Sequence, residues 1–262
     1  MKLSISNIGW SLEQDTEIYG LMIKNGYSGL EIAPTRVFPE NPYDNIKEAG
    51  SWSKRIKNTY GFSIPSMQSI WYGRQEKIFG TIEERKRLIE YTKKAIDFAT
   101  EINCKNLVFG CPKNRNMPEG ADVNIVIDFF RELGEYAKEK GTVIGMEANP
   151  IIYNTNFIND TKTALEFVKE IKSDGFLLNL DVGTMIQNEE NVSELIGNVK
   201  LINHVHISEP GLKPIEKRNI HKEIKDILVD EEYKGFVSVE MAKVDDVYSI
   251  DESLRYVRSV FY

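Results

Sequence analysis

The sequence predicts an α/β protein: a single (β/α)8 barrel formed by one domain over residues 1–262. Three observations point there. Short apolar, β-prone runs alternate strictly with longer stretches of helical periodicity. Eight such units fit the chain, with no linker, low-complexity tract or charge block between them. Strict alternation demands parallel pairing through right-handed crossovers, and eight units favour closure into a barrel. A doubly wound open sheet is the alternative. It is weakened because no glycine-rich GxGxxG turn follows any strand.

The first strand is expected over Lys2 to Ile8. A helix follows over Ser11 to Asn25, with Leu12, Ile18, Leu21 and Met22 at helical spacing and Gly26 as its stop. Gly29 to Ile32 forms a second strand, ending at Ala33-Pro34. Tyr43 to Tyr60 reads as a helix closed by Gly61. Phe62 to Ile70 is a third strand, irregular because it contains Pro65. Thr81 caps a long helix to Ile102 and forms a capping box with Glu84; Leu88, Tyr91, Ala95, Ile96 and Ala99 give that helix its apolar stripe.

The alternation continues with a strand at Asn106 to Gly110, a helix at Val123 to Lys140 and a fifth strand at Val143 to Glu147. A helix at Asp160 to Ile171 precedes the sixth strand, Phe176 to Asp181. A short helix at Glu190 to Ile196 leads to the seventh strand, Leu201 to Ile207. A helix at Asn219 to Glu232, an eighth strand at Phe236 to Met241 and a helix at Ile250 to Phe261 complete the pattern.

The apolar share of 41% suffices for a sizeable core. A formal net charge of -7 argues against broad electrostatic binding to nucleic acid or to an anionic membrane. No run of about 18 apolar residues is present to span a membrane, and MKLSISNIGW lacks the apolar stretch of a signal peptide. Cys104 and Cys111 have neither metal-ligand spacing nor a disulfide framework, which fits a reducing, cytoplasmic location. A homo-oligomer is left open.

In a barrel of this kind the chemistry sits at the C-terminal ends of the strands. The fifth strand ends in Glu147 (GMEANP), the sixth in Asp181 (LNLDVGT), the seventh in His206 (HVHISEP) and the eighth in Glu240 (VSVEMA). Taken singly, a strand-end acid often caps the next helix or pairs with a lysine. Taken together, three carboxylates converging on one mouth raise one another's pKa, and desolvation raises them further. One divalent metal ion held by Glu147, Asp181, His206 and Glu240 removes that penalty. Oxygen ligands with one imidazole suit Mn²⁺, Mg²⁺ or Co²⁺, and Zn²⁺ is compatible.

The order Glu147, Asp181, His206, Glu240, at intervals of 34, 25 and 34 residues, resembles the sugar isomerase/epimerase superfamily with the xylose-isomerase-like TIM barrel, and within it the ketose 3-epimerases. The opening strand, the GLEIAP segment at Gly29 to Pro34 and the HISEP segment are similar too, so the resemblance covers essentially the whole chain. It implies a metal-dependent isomerase or epimerase acting on a small sugar or sugar phosphate. It also implies the same four metal ligands, with Glu147 and Glu240 as the acid/base pair on opposite faces of the substrate. Physically, one carboxylate removes the proton beside a carbonyl, the resulting enediolate is stabilised electrostatically, and the second carboxylate returns a proton.

One position departs from that pattern. The superfamily usually has DxGH after the sixth strand, where this chain reads DVGT, so Thr184 stands in place of a histidine. Thr184 offers a hydroxyl but no cationic form, which puts the substrate and the reaction in question. Three histidines in all are too few for the three-zinc endonuclease IV branch of the fold. Further substrate-binding candidates are Glu209, Lys213, Trp10 and Trp71, with Tyr72 beside Trp71. Glu209 serves equally well as a loop salt bridge, and the tryptophans as core. His204 shares the face of His206 one layer deeper, as core or support. His221 reads as a surface residue at a helix start. Glu31 faces either the barrel or the outer helices. Arg74, Lys113 and Arg115 are phosphate ligands or, by default, solvated loop charges. Metal-assisted hydrolysis or dehydration in the same barrel is a competing reading, as is a non-catalytic sugar- or metal-binding protein.

Overall fold

A computed structural model describes residues 1–262. Its centre is one parallel sheet of seven strands: β1 (Lys2–Ser6), β2 (Gly29–Glu31), β3 (Leu107–Phe109), β4 (Ile144–Glu147), β5 (Phe176–Asp181), β6 (Ile202–Ile207) and β7 (Phe236–Val239). Their spatial order is β2-β1-β7-β6-β5-β4-β3, and every pairing is parallel. The order follows the chain except that the two halves join through β1 and β7, as expected when sequential strands lie side by side.

The expected third strand, Phe62 to Ile70, is not a regular strand, so the sheet has seven strands where eight were anticipated. That segment makes isolated parallel bridges to both edge strands, Gly29 with Ser63, Ile32 with Met67, and Met67 with Leu107. Pro65 has no N–H to give a ladder, which limits the regular pairing. The remaining bonds still run both ways: Leu30 N–H donates to Ser63 O at 2.9 Å, and Val108 N–H to Met67 O at 2.8 Å.

Nine α-helices flank the sheet: α1 (Asp15–Lys24), α2 (Pro34–Val37), α3 (Ile46–Tyr60), α4 (Ile82–Glu101), α5 (Asn124–Glu139), α6 (Thr161–Ile171), α7 (Val182–Gln187), α8 (Asn219–Asp230) and α9 (Val247–Phe261). The capping box of α4 is formed: Thr81 Oγ1 accepts from Glu84 N–H at 3.2 Å, and Glu84 Oε2 accepts from Thr81 N–H at 2.8 Å. Asp160 caps α6 through Thr163 N–H at 2.8 Å. Gly61, at φ 79°, ends α3 in the left-handed conformation that glycine tolerates best. The helix expected over Glu190 to Ile196 is a single 3-10 turn, Val192–Leu195, and α7 begins directly after β5 in residues with no clear periodicity.

The core lies between sheet and helices. Phe130 of α5 sits among Phe109, Phe129, Phe167 and Phe176, with ring centroids 4.7–5.8 Å away and mostly edge to face. Each such ring contributes on the order of 2 kcal/mol through burial alone. The inner face of the sheet is different. Ser4, Ser6, Glu31, Asn179, His204, His206 and Ser238 are all buried there and polar, so a polar interior leads up to the strand ends.

Candidate active site

Glu147 ends β4, Asp181 ends β5, His206 lies near the end of β6, and Glu240 follows β7 by one residue. Adjacent-strand register sets Asp181 opposite His206, and His206 opposite Ser238, two residues before Glu240. With a side-chain period of two, all four project to the inner face. His206 is fully enclosed, while Glu147, Asp181 and Glu240 are 7%, 9% and 6% exposed.

His206 is the hub. Its Nδ1 stands 3.0 Å from Glu147 Oε1 and 3.2 Å from Glu240 Oε2, and its Nε2 stands 2.9 Å from Glu31 Oε2. Each group is held from behind. Asn179 donates to Glu147 Oε1 at 2.8 Å, and Gln68 donates to Glu240 Oε1 at 2.9 Å. Asp181 Oδ1 accepts from Ser208 Oγ at 2.6 Å and from Thr184 N–H at 3.0 Å. Gly110 lies so close to Glu147 that a Cβ there would meet Oε2 at 2.7 Å, so any larger residue would push that carboxylate out of place.

The electrostatics follow from this enclosure. Burial disfavours an imidazolium at His206, but Glu240, Glu31 and Glu147 outweigh it and hold the ring well above its ordinary pKa. Burial, reinforced by Glu147 and Glu240, pushes the Asp181 carboxyl up to about 7. Burial also raises Glu240, against the pull of His206. Glu31 goes the other way: burial would raise it, but His206 and His204 keep it below the usual carboxylate range.

A cation fits this cluster. An imidazole lone pair facing two carboxylate oxygens is repulsive unless a proton or metal lies between them. A six-coordinate cation with bonds of about 2.1 Å sets neighbouring ligand atoms roughly 3 Å apart, and the two Nδ1 to oxygen spacings match that. Glu147, His206 and Glu240 form one group whose ligand atoms lie within 4.8 Å of one another. Asp181 is not in that group; its Oδ1 is committed to Ser208 and Thr184. Glu31, His204 and His206 form a second group of the same kind beneath it.

The other expected residues divide. Thr184 is buried on α7 and donates its hydroxyl to Ala148 O at 2.9 Å. Glu209 is buried and paired with Arg218, whose Nη2 is 2.6 Å from Oε2. Lys213 is exposed. Trp10 is enclosed and donates to Asp15 Oδ1, and Trp71 is enclosed and donates to Thr92 Oγ1, both at 2.8 Å; Tyr72 is exposed. His221 is not at the surface: it is fully buried with Nδ1 3.0 Å from Tyr256 OH. Nor is Arg115 a solvated loop charge: it is buried and donates to Glu147 O at 2.8 Å and Ile158 O at 3.1 Å. Arg74 pairs with Glu76 and lies over the Tyr91 ring.

Three supporting residues, Asn179, Gln68 and Tyr153, escape the sequence reading. Asn179 lies two residues from Asp181, so the strand period puts it on the inner face, as it puts Ser208 on the face of His206. Gln68 sits in the irregular segment, where no period applies. Tyr153 is half-buried on the loop after β4, and its hydroxyl accepts from Gly211 N–H at 3.0 Å. Burial raises its pKa, with added pressure from Asp181, Glu240 and Glu147, so it borders the same charged mouth.

A parallel sheet wrapped by helices, with carboxylates and an imidazole gathered at consecutive strand ends, defines an α/β protein with a buried charged cluster at one mouth of its sheet. The family model described as xylose isomerase-like TIM barrel matches residues 21–260, and the chain belongs to that family. No curated protein sequence matches it. Among solved structures, the chain is similar to a 3-keto-D-glucoside 4-epimerase from E. coli, with 22% identity, a TM-score of 0.78 and 99% of each chain covered. It is similar to a D-psicose 3-epimerase from Clostridium cellulolyticum H10 solved with D-tagatose, with 15% identity, a TM-score of 0.79, and 100% of this chain and 99% of that one covered. It is also similar to an IOLI protein solved with a zinc atom, with 17% identity, a TM-score of 0.75, and 99% of this chain and 96% of that one covered. At these identities the likeness establishes the fold. No helix is long and apolar enough to cross a membrane.

Proposed function

We propose that the protein is a metal-dependent isomerase or epimerase acting on a small sugar or sugar phosphate. One observation carries the reading: His206 Nδ1 meets Glu147 and Glu240 at 3.0 and 3.2 Å, with carboxylates that come from β4 and from the end of β7. Solved epimerases of the same fold, one of them with a ketose bound, support the substrate class.

Glu147, His206 and Glu240 are the ligands of one divalent ion, and Asp181 is the fourth, through the carboxylate oxygen not committed to Ser208. When bound, that ion stabilises the negative charge that develops on the substrate oxygens as a proton leaves the neighbouring carbon. Glu147 and Glu240 approach from strands on different sides of β5 and β6. One takes the proton from the carbon beside the carbonyl. The other delivers a proton to the opposite face of that carbon, which inverts it, or to the former carbonyl carbon while the neighbouring hydroxyl gives up its proton, which moves the carbonyl. Burial favours this role at Glu240, whose raised carboxyl is a stronger base and a better placed acid than an ordinary glutamate. Asn179 and Gln68 keep the two acids aimed. Lys213 is the candidate rim contact to substrate oxygens. Thr184 and Glu209 act at the mouth through Ala148 and Arg218, and Trp10 and Trp71 by shaping the walls below it.

The test is elemental analysis of the purified protein beside Glu147→Ala/His206→Ala, followed by ketose screening in D2O. About one divalent ion per chain, lost in the variant, and deuterium entering the ketose beside its carbonyl are expected. Equal metal in both proteins, or hydrolysis without exchange, rejects the reading.

A further inference from the structure

The outer face of the His206 ring points to a role for a residue that the proposed reaction leaves untouched. Glu31 closes β2 with its carboxylate turned into the interior, and it is completely buried. Oε2 lies 2.9 Å from His206 Nε2 and 3.0 Å from His204 Nε2. The two rings stand 5.3 Å apart and nearly perpendicular, at 87°, so one oxygen faces both from below. In a site this dry, a lone pair turned towards that oxygen would be strongly repelled. The ring therefore keeps an N–H on Nε2. When a cation takes the place of the proton on the other side, the neutral imidazole has that one N–H, and its lone pair falls on Nδ1, the atom that faces Glu147 and Glu240.

We propose that Glu31 is a positioning residue that fixes the tautomer and the orientation of the His206 ring, so that Nδ1 is presented to a divalent cation. His204 lies against the same carboxylate from the layer beneath, its Nε2 making no hydrogen bond. Glu31 Oε1 has no hydrogen-bond partner, so the carboxylate is held through Oε2, the atom that meets the rings. The proposal rests on the metal reading above.

The test uses zinc on the full chain, stripped with a chelator and reloaded. Affinity is measured by chelator competition, and the protonated nitrogen of each of the three histidines by ¹H–¹⁵N correlation in the zinc-loaded, ¹⁵N-histidine-labelled protein. His206 of the wild type is expected to carry its proton on Nε2. Glu31→Gln keeps the shape but loses the charge; it should weaken zinc about 10- to 100-fold and move the His206 Nε2–H proton upfield, as its acceptor loses its charge. Wild-type affinity and an unmoved Nε2–H proton in Glu31→Gln overturn the proposal. So does an Nδ1 proton on His206 of the zinc-loaded wild type, a result that does not depend on whether the variant folds. A wild type that takes up no zinc, or a Glu147→Ala variant that binds as tightly as wild type, defeats the metal reading itself and this proposal with it.

Discussion

Asn179 donates its side-chain amide to Glu147 Oε1 at 2.8 Å, and its own carbonyl accepts from Asn106 at 3.1 Å. Asn106 in turn accepts from Asn203 at 2.8 Å. This chain of amides fixes which end of Asn179 faces the acids. Replacing Asn179 by alanine leaves buried partners unpaired, which costs about 1–3 kcal/mol. It also frees the Glu147 carboxylate to rotate. Metal affinity is expected to fall roughly tenfold, as for other groups that orient ligands. Thermal unfolding and chelator competition on the same sample separate the two effects. An unchanged affinity with a lowered Tm would reduce Asn179 to a structural role.

The two glutamates are assigned to opposite faces of the substrate, so they should fail differently from a binding residue. Glu147→Gln and Glu240→Gln are each expected to slow deuterium entry into the ketose by about 10²- to 10⁴-fold, the usual range for a positioned acid or base. Substrate affinity should change much less. A Glu240→Gln variant that exchanges at the wild-type rate would remove Glu240 from proton transfer.

Metal uptake should be coupled to pH. In the metal-free protein, burial opposes a charge on His206, but Glu240, Glu31 and Glu147 hold it protonated; Asp181 is pushed up to about 7. Both must lose their protons to bind a cation. Affinity should therefore rise with pH, by up to about tenfold per unit for each proton released. The stability of the metal-free protein runs the other way. Both groups have folded-state pKa values above their unfolded ones, so the stability they add at low pH is lost as pH rises through the folded values. The metal-free Tm is expected to drop as pH rises from 6 to 8.5, and added Mn²⁺ or Co²⁺ should restore it. A metal-free Tm that climbs over that range contradicts the cluster as described.

Much of this was legible in the residues because parallel strands and their helices write distinct periods. Val143 to Glu147 and Phe176 to Asp181 match β4 and β5 to within a residue. The losses have physical causes. Phe62 to Ile70 has strand composition, yet Pro65 breaks its ladder, so it contributes bridges only. The six residues of α7 are too few to show a period, although Asp181 caps its first turn through Thr184 N–H. Glu31 was ambiguous because a strand covered on both faces carries no inside-outside alternation. Arg115 sits on the loop after β3 and turns inward to the carbonyls of Glu147 and Ile158, and nothing local announces that.

His221 was misread for the same reason, since its burial depends on Tyr256, 35 residues away, and its titration gives a separate check on the fold. Burial first, then the nearby charge of Arg218, lowers its pKa to about 4 from an ordinary 6.5. Its folded-state value is depressed, so the unfolded chain takes up the proton first as pH falls below 6.5. Stability from this site is intact above that pH and drains away down to about 4. Between pH 7 and 4.5 the loss amounts to roughly 2 kcal/mol. His221→Gln keeps a polar side chain beside Tyr256 but cannot titrate. Urea unfolding at both pH values should show the wild type losing about that much more stability than the variant. Parallel losses in the two proteins would mean that His221 is solvated enough to titrate normally, and that the contact between α8 and α9 is looser than described.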